Sequence, residues 1–180
     1  MNFVPENKGA QDVPYFEDTT SAGGWAGHTT SRSTERLETE IRESLGRLDA
    51  LVVGFQRGTF PGDKPRSGCV IHYVVQSPRG PIPGRMEIAA LPIKTRTSRS
   101  GYKQKLEQSY RMALFMLREA LDGMWYMQQL APGYFPLIAW MLVEGNKTVS
   151  QMWSASLDTG HLLPPGDDDF VEGEFKETHE

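Results

Sequence analysis

An α+β fold follows from three features of the chain. Leu37, Ile41, Leu45 and Leu48 recur at helical spacing. After Leu51 the sequence breaks into three short apolar runs parted by Pro- and Gly-rich turns. From Tyr102 to about Leu130 it returns to a helical pattern. We therefore expect an N-terminal helix, a three-stranded antiparallel meander, and a C-terminal helical hairpin followed by a short helix. The chain has 180 residues, which fits one domain with tails.

The segment 1–32 is polar and rich in Gly, Ser and Thr, with scattered aromatics at Phe3, Tyr15, Phe16 and Trp25. Such composition buries little surface against chain entropy, so the segment is expected to be disordered or loosely docked. The domain is expected over 33–157. Ser33 or Thr34 can cap the first helix, whose charged residues Arg36, Glu38, Glu40, Arg42 and Glu43 lie off the apolar stripe.

Three strands are expected at Leu51–Gln56, Cys69–Gln76 and Arg85–Ile93. In the second, Cys69, Ile71, Tyr73 and Val75 share one face, while Val70, His72, Val74 and Gln76 share the other. Helices before and after can cover one face and leave the other available. The long helix carries Leu106, Tyr110, Leu114, Leu117 and Leu121 at helical spacing, and Ala131-Pro132-Gly133 ends it. The run Tyr134–Val143 (YFPLIAWMLV) reads as a second helix with Pro136 in its first turn. A turn at Glu144–Lys147 then leads to a short helix capped by Thr148.

Charge is divided along the chain. The net charge is -4, yet eight acids and one base from Asp158 onward contribute -7, which leaves the rest at +3. Between Arg57 and Arg111 eleven Lys/Arg face three Asp/Glu. Within that strip Arg85, Lys94, Arg96, Arg99, Tyr102, Lys103, Lys105 and Arg111 are the candidate nucleic-acid contacts. Several cations along one path release counterions from phosphates. Tyr102, with Phe55, His72, Tyr73 and Tyr110, offers rings for base stacking. The acidic segment 158–180 is expected to be a disordered tail. Its Asp167, Asp168, Asp169, Phe170 and Phe175 can dock a protein partner or compete for the basic strip.

The stretch YRMALFMLREALDG followed by YFPLIAWMLVEGNKTVSQMW resembles uncharacterised proteins encoded by bacteriophages and prophages. The resemblance is carried by Arg111, Leu114, Leu117, Leu121, Gly123, Phe135, Ile138, Gly145, Thr148, Val149 and Trp153, and it covers at most the region after Leu51, without the acidic tail. It implies a phage-type accessory protein of α+β fold and transfers no catalytic residue. DDDF also resembles the acidic, aromatic-ended tips of single-strand-binding proteins, although here VEGEFKETHE follows it.

Catalytic chemistry finds little support. The histidines are His28, His72, His161 and His179, with no H-x-x-x-H or C-x-x-C pairing. No G-x-x-x-x-G-K-[ST] loop is present. The one cysteine, Cys69, lies in an apolar run and reads as a buried hydrophobe. No enzyme, metal or cofactor is expected, nor is any membrane span, because Arg118, Glu119 and Asp122 interrupt the most apolar stretch. The N-terminus has no basic and apolar leader pattern, so a cytoplasmic location is expected. The favoured function is a non-catalytic accessory protein that binds single-stranded nucleic acid, most simply DNA. The alternative is a protein-binding factor that modulates a host enzyme or defence system. Met112, Met116, Met124, Met127, Met141 and Met152, with Trp125, Trp140 and Trp153, are expected in the core, with a homodimer interface as the alternative.

Overall fold

The structure is a computed structural model that describes residues 13–61, 64–77, 80–94, 99–131 and 133–158. The first helix, α1 (Thr34–Arg47), begins at its expected cap. The Ser33 hydroxyl accepts the Arg36 N–H at 3.2 Å, which satisfies a donor that the first helical turn leaves free. Its stripe of Leu37, Ile41 and Leu45 is fully buried, with Leu48 just beyond.

Strands β1 (Ala50–Phe60), β2 (Arg66–Ser77) and β3 (Gly80–Ala89) form an antiparallel meander in that spatial order. The strands run further than the sequence reading placed them. Arg57–Phe60 pairs with Arg66–Cys69, and Gly80–Gly84 pairs with Tyr73–Ser77. Much of the two turn-rich segments is therefore hairpin arm. Pro81 and Pro83 are tolerated because β3 is the outer strand of the sheet, where missing N–H donors do least harm. The strand ends at Ala89, ahead of Pro92. A bulge between Val52 and Gly54 throws Val53 outward.

The alternation in β2 sets the inside and the outside. Cys69, Ile71, Tyr73 and Val75 are buried, whereas Val70, His72 and Val74 on the opposite face remain half-exposed. Helix α2 (Arg99–Leu130) and α1 pack on one another and cover the inner face. Tyr110, Leu114, Leu117 and Leu121 complete this core. Polar clasps fix the helix pair. Thr34 donates to Glu107 at 2.5 Å and Ser44 to Asp122 at 2.8 Å. Arg118 joins Asp122 (3.0 Å) to Glu40 of α1 (3.7 Å).

Two expectations are corrected. Residues 13–32, expected as part of a disordered or loosely docked segment, pack on the domain through specific contacts. The Phe16 N–H donates to the Pro92 carbonyl at 2.9 Å, and its buried ring stacks on His28 at 4.4 Å. Phe16, Leu91 and Met112 form a second small core with Trp25 against it. Mean composition concealed this, because two aromatic anchors suffice to dock a polar segment.

The second correction concerns Tyr134–Val143, which is no helix. After α2 the chain makes a short 3-10 turn at Ile138–Trp140, and Met141 then bridges in antiparallel fashion to Gly84 of β3. Strands β4 (Leu142–Val143) and β5 (Lys147–Thr148) form a tight hairpin through Gly145 and Asn146, both at positive φ. Helix α3 (Val149–Asp158) follows with a reciprocal cap: Thr148 Oγ1 accepts the Gln151 N–H, and Gln151 Oε1 accepts the Thr148 N–H. The apolar run reads equally as helix or strand by period, and the open edge of β3 claims it.

Tyr73 ties these parts together. Its ring lies against the backbone of Gly84, and its hydroxyl donates to the Leu137 carbonyl at 3.4 Å. A methyl group at position 84 would overlap that ring. Gly84→Ala is expected to cost about 1–3 kcal/mol in urea denaturation, as overpacked cores do. Gly58→Ala, with nothing within 4 Å of the added methyl, is expected to change stability by less than roughly 0.5 kcal/mol.

Candidate interaction surfaces

Four cations of the basic strip, Arg57, Arg85, Lys94 and Lys105, are ion-paired within the molecule. Lys94 pairs with Asp18 at 3.2 Å and gives its backbone N–H to Glu17 at 2.9 Å. Lys105 pairs with Glu17 at 3.2 Å. Arg85 lies on the outer face of the sheet, pairs with Glu87 at 3.0 Å and reaches Gln151 at 3.4 Å. Arg57 pairs with Glu107 at 2.5 Å and stacks over Tyr110. Lys103 is exposed, and Arg111 donates to Gln108 on its own helix. Arg96 and the side chain of Arg99 fall outside the described residues, as does the tail with Asp167, Asp168, Asp169, Phe170 and Phe175.

Sequence reasoning missed Glu17 and Asp18, the acids that answer two of these cations. The signal was present as two carboxylates directly after Tyr15-Phe16. It was hidden by reading that segment as disordered or loosely docked. Burial alone would raise the Glu17 carboxyl. Hydrogen bonds from the Lys94 and Glu17 N–H groups and from Lys105 outweigh burial and hold it below its usual value. Glu107 behaves likewise: burial raises it, and Arg57 with Thr34 brings it down further.

The aromatic candidates separate into core and surface. Tyr73 and Tyr110 are buried and cannot stack on a base; burial pushes both phenols well above their usual range. Phe55 is half-buried beneath the Arg42 guanidinium. His72 is half-exposed on the outer sheet face, opposite Arg85. Tyr102 does reach a cleft. With Tyr15, Lys64 and Lys94 it lines a cavity of about 330 Å³, where the Lys64 and Lys94 ammoniums lie 4.7 and 6.0 Å from the Tyr15 ring. A second cleft of about 590 Å³ is lined by Phe16, His28, Lys105 and Arg111.

No family of known proteins matches this chain, and no curated protein or solved structure matches it either.

The largest departure from an ordinary surface lies at the far end of α2. The methionines and tryptophans expected in the core divide at this point. Met112 is buried, and Met124, Trp125, Trp140 and Met141 pack against the core. Met127, Met152 and Trp153 are exposed, together with Tyr126, Leu130, Tyr134, Phe135 and Ile138. Of the ten exposed large hydrophobics described, eight lie between Tyr126 and Trp153. Leu130 is 78% exposed and Trp153 56%. The turn at Ile138–Trp140 packs beside α3, and the chain reaches that turn directly from the end of α2. Glu144 and Lys147 are the two charged residues within 126–153.

Cys69 is buried, and burial pushes its thiol up to about 11, which keeps it protonated at neutral pH. Among the described residues there is no group of three or more His, Cys, Asp and Glu side chains able to hold a metal ion. No described helix is long and apolar enough to cross a membrane.

The docked segment 13–31 should show in the acid limb of stability. A carboxyl whose folded pKa is depressed contributes stability above its unfolded value near 4.5, and loses that contribution as pH falls through the folded value. Glu17→Gln is therefore expected to lower stability by about 1 kcal/mol at pH 7, and the difference should vanish once the pH is below the folded value. Paired thermal melts of the two proteins across pH check this.

Proposed function

We propose that the protein is a non-catalytic protein-binding factor whose first partner is a second copy of itself. The observation that carries this reading is that eight of the ten exposed large hydrophobics described lie between Tyr126 and Trp153. Large contiguous apolar patches on soluble chains mark interaction sites. Interface cores are enriched in Tyr, Trp, Phe and Met and depleted in charge, which is the make-up of this face. Methionine adds adaptability, since its unbranched side chain repacks at low cost. The scarcity of cations argues against a phosphate backbone as the occupant. An uncharged apolar face suits itself across a two-fold axis, where each copy offers the same patch.

A second reading rests on the Tyr15–Tyr102 cleft. Two lysines flank one ring there, and the His28–Lys105–Arg111 cleft lies adjacent. This suits a short single strand held by stacking and phosphate contacts. Fluorescence anisotropy with a labelled oligothymidylate tests it. Binding should weaken steeply with salt and weaken further in Lys64→Ala with Tyr102→Ala. Absence of binding at low salt rejects this second reading.

For the leading proposal, sedimentation at rising protein concentration is expected to show a reversible dimer. Leu130→Glu with Trp153→Glu should weaken the dimer by more than about tenfold while leaving the circular dichroism unchanged. A chain that stays monomeric throughout, or a double variant that dimerises as well as the parent, would contradict it.

A further inference from the structure

A separate groove of about 880 Å³ opens on the opposite part of α2, between that helix, the end of β3 and the N-terminal segment. That volume falls within the roughly 300–1,000 Å³ range of small-molecule sites. Its wall is apolar, built from Trp25, Leu91, Met112 and Met116. The helix side of the groove is open because Ala113 and Ala120 present only methyl groups to it.

Among the described residues one charged side chain lines the groove, that of Arg66. Its Nε donates to the Ala90 carbonyl at 2.6 Å and its Nη2 to the Ala89 carbonyl at 2.8 Å. These bonds fix the plane of the guanidinium and, among the described residues, leave Nη1 without an acceptor. Arg66 makes no ion pair among the described residues. Partial burial disfavours the charged form, and no carboxylate of a described residue compensates. An oriented guanidinium with a free edge is suited to a carboxylate.

The geometry points to a binding site for a single-chain aliphatic carboxylate, with its headgroup on Arg66 and its chain lying along α2 between Met112, Met116 and Trp25. A flexible alkyl chain matches a wall of methionines better than a rigid ring does. The charge requirement separates this ligand from a neutral amphiphile of the same length, and the groove separates it from a membrane surface, which would need an exposed face. The site is independent of the Tyr126–Trp153 face, so either assignment can fail alone.

Isothermal titration of the full-length protein with sodium dodecanoate below its micellar concentration tests the assignment, with dodecanol as the neutral control. Saturable binding of dodecanoate is expected, with dodecanol markedly weaker. Arg66→Gln should weaken dodecanoate about tenfold or more and leave dodecanol unchanged. Because Arg66 also holds two backbone carbonyls, Ala120→Trp supplies a second variant. It fills the groove from an exposed position and should abolish binding of both ligands. No binding by the parent, equal affinity for the two ligands, or unaffected binding in Ala120→Trp would overturn the proposal. So would binding to phosphatidylglycerol vesicles but not to free dodecanoate. Binding that emerges only when residues 1–12 are removed would mean that the chain's own start fills the groove, and would also overturn it.

Discussion

The inner face of β2 is the constraint on which the rest of the structure depends. Cys69, Ile71, Tyr73 and Val75 alternate out of water, and a single meander cannot hide them alone. Two helices must lie across that face, so α1 and α2 take up their apolar stripes there and clasp one another through Glu107, Asp122 and Glu40. Tyr73 adds a condition of its own. Its ring needs a glycine opposite, and its hydroxyl draws the chain after α2 back to the β3 edge. The bridge at Met141 and the placement of α3 follow from that return.

The same constraint produces the apolar end face. The inner sheet face is satisfied by the part of α2 that ends at Leu121, the last fully buried residue of the helix. The helix continues to Leu130: Met124 and Trp125 still pack against the core, whereas Tyr126, Met127 and Leu130 are exposed. A chain that extends an apolar helix past its own core exposes large hydrophobic area. Such area is stable in water when another surface covers it. The charge pattern takes a different course. Four cations of the strip, Arg57, Arg85, Lys94 and Lys105, are met by Glu107, Glu87, Asp18 and Glu17, so part of a segment of net positive sequence becomes a surface of local ion pairs. Exposed pairs of this kind add little stability individually. Together they remove much of the long-range field that would steer a polyanion.

Much of this was legible from residue spacing. The stripe Leu37–Ile41–Leu45–Leu48, the alternation in β2 and the caps at Ser33 and Thr148 each appear where local periodicity and side-chain chemistry place them. What stayed hidden was long-range. Tyr134–Val143 has no local preference strong enough to oppose an open strand edge, so its path is decided by Gly84 and Tyr73, over fifty residues away. Tyr73 and Tyr110 read as stacking platforms because an aromatic in a strand or helix looks the same from sequence whether it faces water or core. The pairing of Lys94 and Lys105 with Glu17 and Asp18 required knowing that Phe16 anchors its segment. Arg66 gave no sign at all, since its role depends on where β3 ends.

The most direct test of the apolar end face is hydrogen exchange measured at low and at high protein concentration. The account predicts that protection rises with concentration in the amides of 126–138 and of α3, while α1, the sheet and the cleft around Tyr15 keep their rates. Protection that does not change with concentration, or that rises around Tyr15, Lys94 and Tyr102 instead, would contradict it.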